Sequence, residues 1–526
     1  MNIADLVLRF AYLQGNEEAL SEFPSDKRRT FVELADRVTR LSAAMKNSLG
    51  LVRHDSVAVL SRNRIEYMEV MLACALGGLC VQALNWRLSR VELKEILSSS
   101  GVKAIIFDPE YHDAALYLSQ EIPLRSCIYW SEGNESSPFE DLIAKQPPVG
   151  HGGDHADAAG DDDPFLVVYT GGTTGVSKGA VHTHRTAIAA MANNVVGERI
   201  VPTDRFMLMG QMFHSPVLLA INYLTHGCPV VMVNFKPELA LQCIEERKIT
   251  ASMGIPTMYQ NMLALMADRD WRLGSLRNLQ YGGSPTGQSV IRAMYESFGC
   301  SLIQCYGRTE ELAITFLSQE DHVRAMAGHD VHRLESCGRE AWLAKVMLIG
   351  PEGEQIPRGS DQAGEIVVRS PGSMIGYLGR PDLTAEATYR PGWLRTGDVA
   401  RMDRDGYLYV VDRAKELIIS GGENIYPAQV ERAIQRHDDV LEVAVVGVPD
   451  EFWGESVKAY VVRKPGRTVD AKGITEVAAK YLASYQKPKF VEFLDELPKT
   501  PAGKIEKRAL RLRAPGATGK TAASTI

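Results

Sequence analysis

Along residues 30–124 the chain alternates between two periods. The stretch TFVELADRVTRLSAAMKNSL spaces its apolar residues three and four apart, as one face of a helix requires. Between such stretches lie short runs of branched residues, DSVAVLS and VKAIIFD, which read as buried strands. The alternation predicts an α/β domain with parallel strands. It breaks at PPVGHGGDHADAAGDDDP, which is rich in Gly, Pro and Asp, has no apolar period and reads as an exposed connection. His151, Asp154, His155 and Asp157 lie in this segment, but a glycine-rich loop does not preorganise a metal site. The alternation resumes with FLVVYT, PVVMVNF, ELALQCIEER and LRNLQYGGSP. From about Cys337 closely spaced β runs, KVMLIG, GEIVVRS and GYLYVVD, predict a small sheet or barrel. In the last unit YPAQVERAIQRH has helical spacing, with Pro427 suited to a first turn. EVAVVGVP, VKAYVVRK and FVEFLDELP read as strands around a second helix, GITEVAAKYLAS, making a compact α+β domain. The tail APGATGKTAASTI is expected to be disordered.

Composition narrows the partners. With 526 residues, 45% of them hydrophobic, the chain can bury several cores. A net charge of −7 gives no reason to bind nucleic acid or an anionic membrane, so small molecules are the expected partners. The longest apolar stretch, MEVMLACALGGLCVQAL, is interrupted by Glu69 and Gln82 and contains Gly77 and Gly78. It predicts a buried helix running into a strand, not a transmembrane segment. The start lacks the pattern of a signal peptide, and a cytoplasmic location is expected. Eight cysteines without CxxC spacing suit reduced thiols, with no zinc cluster.

Candidate chemistry begins at YTGGTTGVSKGA. Successive N–H groups in a glycine-rich turn after a strand form an anion nest, to which Thr and Ser hydroxyls and Lys178 add donors and charge. The pattern GxxxxGK[ST] is absent, because Ser177 precedes Lys178 and Gly179 follows it. The tail GATGKT fails as well, since the first glycine would fall on Ala514. Taken alone, the loop is either a phosphate cradle or a flexible turn.

Its company is more specific. YTGGTTGVSKGA, MFHS, QYGGSP, QCYGRTE, GWLRTGD, GYLYVVDRAKELIISGGENIYPAQVE and PKTPAGKIEK occur in this order, preceded by NWRLSRVEL. Together they resemble the adenylate-forming superfamily of acyl-CoA synthetases, coumarate:CoA ligases, luciferases and adenylation domains, over almost the whole chain. The resemblance implies a large N-terminal domain, 1–412, with α/β subdomains to about 336 and a small β-barrel over about 337–412. A hinge at 413–415, centred on Lys415, would join a small mobile α+β domain, 416–514, with a disordered tail at 515–526. It also implies a reaction in two halves. A carboxylate attacks the α-phosphate of ATP to form acyl-AMP and pyrophosphate, then a thiol takes the acyl group and AMP leaves.

By that resemblance Thr170, Gly171, Gly172, Thr173, Thr174 and Lys178 would hold the β- and γ-phosphates, the leaving group. Glu310 would carry Mg²⁺ and Thr309 would bond an α-phosphate oxygen. Tyr306 would stack on adenine, with Gly283, Ser284 and Pro285 lining its other side. Asp398 would accept the ribose hydroxyls with help from Arg413. Lys504 would bridge the carboxylate and the α-phosphate. After rotation of the small domain, Gly421 and Gly422 would let pantetheine pass close to the backbone.

His214 bears on the acid and is grouped with the catalytic residues. Adenylation domains for amino acids place Asp there to pair the α-ammonium; histidine supplies no such charge, so amino acids are disfavoured. Phe213, Leu218, Ile255, Gly282, Cys305 and Ile314 make an apolar pocket suited to a medium-chain fatty or aryl acid, although Phe213, Leu218 and Ile255 serve equally well as core. Free coenzyme A is the expected acceptor, with a separate carrier protein, a luciferase-type oxygenase and a non-catalytic nucleotide binder as alternatives. A serine hydrolase is remote, since GGSPT fails GxSxG. The expected partners are therefore a carboxylic acid, ATP, Mg²⁺ and coenzyme A; a homodimer is left open.

Overall fold

The structure is a computed structural model and describes residues 1–131, 137–148, 159–170, 177–267, 269–413, 416, 418–420, 423–450, 452–499 and 505–513. The chain divides into two compact units, Met1–Val346 with Val367–Arg395, and Met347–Ile366 with Thr396–Ile526.

The first unit is built on two sheets. One runs, among the described residues, in the order Gly376–Tyr377, Lys178–Thr183, Pro164–Thr170, Cys80–Ala83, Ser56–Leu60, Val102–Phe107, Ser126–Tyr129. From Pro164–Thr170 to Ser126–Tyr129 every neighbour is parallel, as the alternation predicts. Helix Phe31–Asn47 opens with a capping box in which the Glu33 N–H donates to Thr30 Oγ1 and the Thr30 N–H donates to Glu33 Oε2. Its apolar face, Phe31, Leu34, Val38, Leu41 and Met45, is buried. The ambiguous stretch at residues 68–84 resolves into helix Ile65–Gly77 and strand Cys80–Ala83, separated by Gly78 at φ 70°, a left-handed conformation that favours glycine. Its two interrupting residues are buried and satisfied. Glu69 accepts from Arg37 Nε and Nη2 at 2.6 and 2.9 Å, and Gln82 accepts from Tyr169 Oη at 2.8 Å.

The second sheet runs Arg339–Glu340, Thr315–Leu317, Ser301–Tyr306, Asn278–Gly282, Ala251–Gly254, Phe206–Leu208, Val230–Val233, Glu18–Phe23, Arg28–Thr30. The N-terminal strand Glu18–Phe23 thus pairs in parallel with Val230–Val233, far away in sequence. The connection expected to be exposed is only partly so. Residues 149–158, with His151, Asp154, His155 and Asp157, lie outside the described residues, but Asp163 at its end is buried, bidentate to Arg53 at 2.8 Å and 2.9 Å from His54. A carboxylate held by a bidentate guanidinium and a further hydrogen-bond partner can leave water there.

In the second unit Gln355–Ile356 pairs with Lys345–Ile349 through Ile349 and Leu348, and Leu408–Arg413 pairs with Asp398 to Met402. A further sheet joins Glu423–Ile425, Ile418–Ser420, Gly454–Arg463 and Val440–Asp450, with Phe490–Phe493 parallel to Gly454–Arg463. The period of two along Val440–Asp450 separates two cores. Val443 and Val445 pack with Val430, Ile434 and Ile474 of the helices, while Ala444, Val446 and Val448 pack with Leu497 and Leu510.

No helix among the described residues is long and apolar enough to cross a membrane.

Candidate active site

Four neighbouring parallel strands, Phe206–Leu208, Ala251–Gly254, Asn278–Gly282 and Ser301–Tyr306, end at one edge of the second sheet. The segments leaving that edge carry Phe213 and His214, Ile255, Gly283 to Pro285, and Tyr306 to Glu310. The carboxyl edge of a parallel sheet is where such folds bind ligands, because strand ends and helix starts converge there. Close approach dictates glycine at two of these points. A Cβ on Gly282 would lie 2.3 Å from the Cys305 carbonyl oxygen, and Gly283 has φ 79°. Tyr306 is half-buried, whereas Ser284 and Pro285 are exposed.

Phe213 and Leu218 are buried within the main core, and Ile255 is half-buried. Ile314 is buried, and its N–H bonds the Tyr306 carbonyl at 2.9 Å. Burial pushes the Cys305 thiol up, so it is a neutral wall rather than a nucleophile. The His214 ring lies 4.5 Å from Phe213, centroid to centroid. Trp86, from the NWRLSRVEL segment, meets Phe213 edge-on at 6.5 Å and donates from Nε1 to Gln211 at 3.0 Å.

The phosphate-loop candidate joins two antiparallel strands, Pro164–Thr170 and Lys178–Thr183, with Thr170 opposite Lys178 at its mouth. Gly171, Gly172, Thr173 and Thr174 lie outside the described residues. The residue after the lysine must be small, since a Cβ on Gly179 would stand 2.6 Å from Val167 and 2.9 Å from the Tyr169 ring.

QCYGRTE forms a tight turn. Leu312 N–H bonds the Arg308 carbonyl at 2.6 Å, and a Cβ on Gly307 would collide with the Leu312 carbonyl oxygen at 1.6 Å. This turn is held from two sides. His182 Nε2 lies 2.8 Å from the Thr309 carbonyl; a carbonyl only accepts, so Nε2 carries the proton and Nδ1 faces Thr186 Oγ1 at 3.4 Å. Glu310 is buried, and its Oε1 receives the Tyr377 hydroxyl at 2.6 Å and Arg308 Nη2 at 3.1 Å. Burial and the adjacent carboxylate push the Tyr377 phenol up, so it stays protonated and donates. Lys178 Nζ lies 5.3 Å from the centroid of the same ring. Two motif residues distant in sequence therefore meet on one tyrosine. Sequence alone does not single out Tyr377, Arg308 or His182; Tyr377 sits in SMIGYLG, with no charge or spacing to mark it.

In the second unit Asp398 is buried and its N–H bonds Thr396 Oγ1 at 3.1 Å. The register sets Asp398 directly opposite Arg413 on the neighbouring strand. Lys415, Gly421, Gly422 and Lys504 lie outside the described residues. Among the described residues no group of three or more His, Cys, Asp or Glu is placed to hold a metal ion.

A feruloyl-CoA synthase from Amycolatopsis sp is 37% identical over 92% of this chain and 94% of its own length. An indoleacetate–CoA ligase from Aromatoleum aromaticum is 33% identical over 97% of this chain and 98% of its own. Among solved structures, the amide bond synthetase McbA from Marinactinospora thermotolerans superposes with a TM-score of 0.85 at 28% identity, over 97% of this chain and 99% of that one. The AMP-binding enzyme model matches residues 8–378 and the model of the C-terminal domain of such enzymes matches 429–504, so the chain belongs to the AMP-binding enzyme family.

Proposed function

We propose that this chain is an ATP-dependent carboxylate:CoA ligase acting on an aryl or medium-chain carboxylic acid. In the first half-reaction a substrate carboxylate oxygen bonds the α-phosphorus of ATP, the bond to the β-phosphate bridge breaks, and pyrophosphate leaves. In the second the coenzyme A thiol loses its proton and bonds the acyl carbon, and AMP departs. The observation that carries this reading is the meeting of Glu310 and Lys178 on the Tyr377 ring, a carboxylate and an ammonium brought together as a metal-bound polyphosphate requires.

The residues fit Mg²⁺. That ion takes one or two carboxylates together with phosphate oxygens and water, and Glu310 supplies one buried carboxylate without a dedicated cage. When bound it would offset charge on the phosphate oxygens. The chain's own residues do the rest. Thr170, Lys178 and the loop residues Gly171 to Thr174 bind the leaving phosphates, Thr309 orients the α-phosphate, Tyr306 and the Gly283 to Pro285 turn flank adenine, and Asp398 with Arg413 takes the ribose. Lys504 places an ammonium where charge builds on the oxygens during attack. Rotation about Lys415 then exchanges Lys504 for the Gly421 and Gly422 passage.

For the acid, support comes from Phe213, Trp86 and His214, whose rings gather aromatic surface, from a histidine at the position where adenylation domains for amino acids place Asp, and from relatives named for ferulate and indoleacetate. The cytoplasm is the proposed compartment. The test is pyrophosphate release over a panel of aryl, fatty and amino acids, with and without coenzyme A. Aryl or medium-chain acids are expected to give pyrophosphate, and thioester once coenzyme A is added. Stronger turnover with an amino acid, or none with any acid, overturns the reading.

A further inference from the structure

We propose that Tyr377 is a positioning residue for Glu310, acting on the nucleotide and its metal through that carboxylate; this rests on the function proposed above. Tyr377 is tied into the phosphate-loop hairpin by its backbone. Strand Gly376–Tyr377 runs antiparallel to Lys178–Thr183, with Tyr377 opposite Ala180, and the Ile375 and Leu378 N–H groups bond the Val181 and Gly179 carbonyls at 3.0 and 2.8 Å. Ala180 and Lys178 are two apart on one strand and so share a face, which puts the Tyr377 ring under Lys178 Nζ. The same short segment also reaches the other motif. Met374 N–H bonds the Glu310 carbonyl at 2.7 Å, and the Tyr377 hydroxyl bonds Glu310 Oε1 at 2.6 Å.

The ring rests in an apolar bed of Ala180, Met374, Leu383, Ala387 and Leu394, which phenylalanine would fill as well. Packing therefore does not explain the hydroxyl, which would be unfavourable to bury without its acceptor. What the hydroxyl adds is orientation. With Arg308 on the same oxygen, two donors fix the rotation of the Glu310 carboxyl group and leave it with one preferred presentation. Because the donor belongs to a strand paired with the lysine-bearing strand, the spacing between Lys178 and Glu310 is set by one rigid element, not by two independent loops.

The test uses the full-length wild type, Tyr377→Phe, Glu310→Gln and the double variant. Binding of ATP is measured by calorimetry across a Mg²⁺ titration, independently of which acid is the substrate. Tyr377→Phe is expected to raise the Mg²⁺ concentration giving half-maximal ATP binding about 10-fold, within the usual 10–100-fold range for losing an outer partner of a metal ligand. In the Glu310→Gln background the same change should add less than about twofold, since the hydroxyl acts through the carboxylate. Melting temperature should move little in Tyr377→Phe, and a supplied acyl-adenylate should still be converted to thioester at close to the wild-type rate. An unchanged Mg²⁺ midpoint in Tyr377→Phe, or equal losses with and without Glu310, overturns the proposal. A wild type that forms no thioester with any acid, while Tyr377→Phe still shifts the Mg²⁺ midpoint of ATP binding, would instead count against the ligase reading alone.

Discussion

The Nε2 of His182 donates to the carbonyl oxygen of Thr309 across 2.8 Å, inside the core of the first unit. Burial lowers its pKa to about 4, against smaller opposing effects from the Thr309 carbonyl and Glu310; burial also lowers His184 and His322 to about 4. An unfolded histidine titrates near 6.5. Between about pH 6.5 and 4 the unfolded chain takes up protons that the native chain does not. Stability is therefore full above that window and falls as pH drops through it, by up to about 3 kcal/mol per ring. Urea unfolding of Glu198→Gln, which removes an opposing titration, at pH 7.5, 5.5 and 4.5 should show a steadily falling midpoint. A midpoint unchanged from 7.5 to 4.5 would contradict the burial of neutral imidazoles.

Glu198 carries the opposite sign. It is buried, accepts from the Tyr223 hydroxyl at 2.8 Å, and burial pushes its pKa up to about 8. From about pH 4.5 to 8 the native state retains a proton that the unfolded state has lost, so this group's contribution falls as pH rises through that range. Glu198→Gln keeps an acceptor for Tyr223 and removes the titration. The variant should match the wild type near pH 5 and exceed it at pH 9 by about 2–4 kcal/mol in denaturant unfolding.

Glu69 is fully buried on helix Ile65–Gly77 and holds Arg37 in a bidentate pair, with Arg29 at 3.2 Å. Removing one partner of a buried ion pair leaves the other without its counter-charge, and about 3–5 kcal/mol is the usual loss. Glu69→Ala should therefore lose about 3 kcal/mol, reduced toward the low end because Arg37 keeps Glu140. A loss under about 1 kcal/mol in equilibrium unfolding would show that the pair contributes little.

Lys504 tests the two-step chemistry. In the mechanism proposed above, Lys504→Ala removes the cation assigned to the attack of the carboxylate on phosphorus, so acyl-AMP formation should fall by roughly 100-fold or more. Given synthetic acyl-AMP and coenzyme A, the same protein should make thioester at close to the wild-type rate. Equal damage to both half-reactions in a folded variant would defeat the alternation of faces.

Local pattern already contained much of this protein. Short runs of branched residues mark out Val102–Phe107 and Val440–Asp450, and apolar residues three and four apart mark out Phe31–Asn47, because each pattern reports which parts of an element avoid water. Gly78 marks the end of a helix within the long apolar run, because its left-handed conformation suits glycine. Seven ordered motifs carry the resemblance to adenylate-forming enzymes, and the family matches over residues 8–378 and 429–504 bear it out. Pairing was another matter. That Glu18–Phe23 lies beside Val230–Val233, that Asp163 is buried against Arg53, and that a tyrosine in SMIGYLG reaches Glu310 depends on contacts between segments far apart in the chain. Periodicity says which side of a strand is apolar and leaves its neighbour unspecified. The neighbour is chosen only when the sheets assemble, where backbone hydrogen bonds and buried charges find partners that no local window contains.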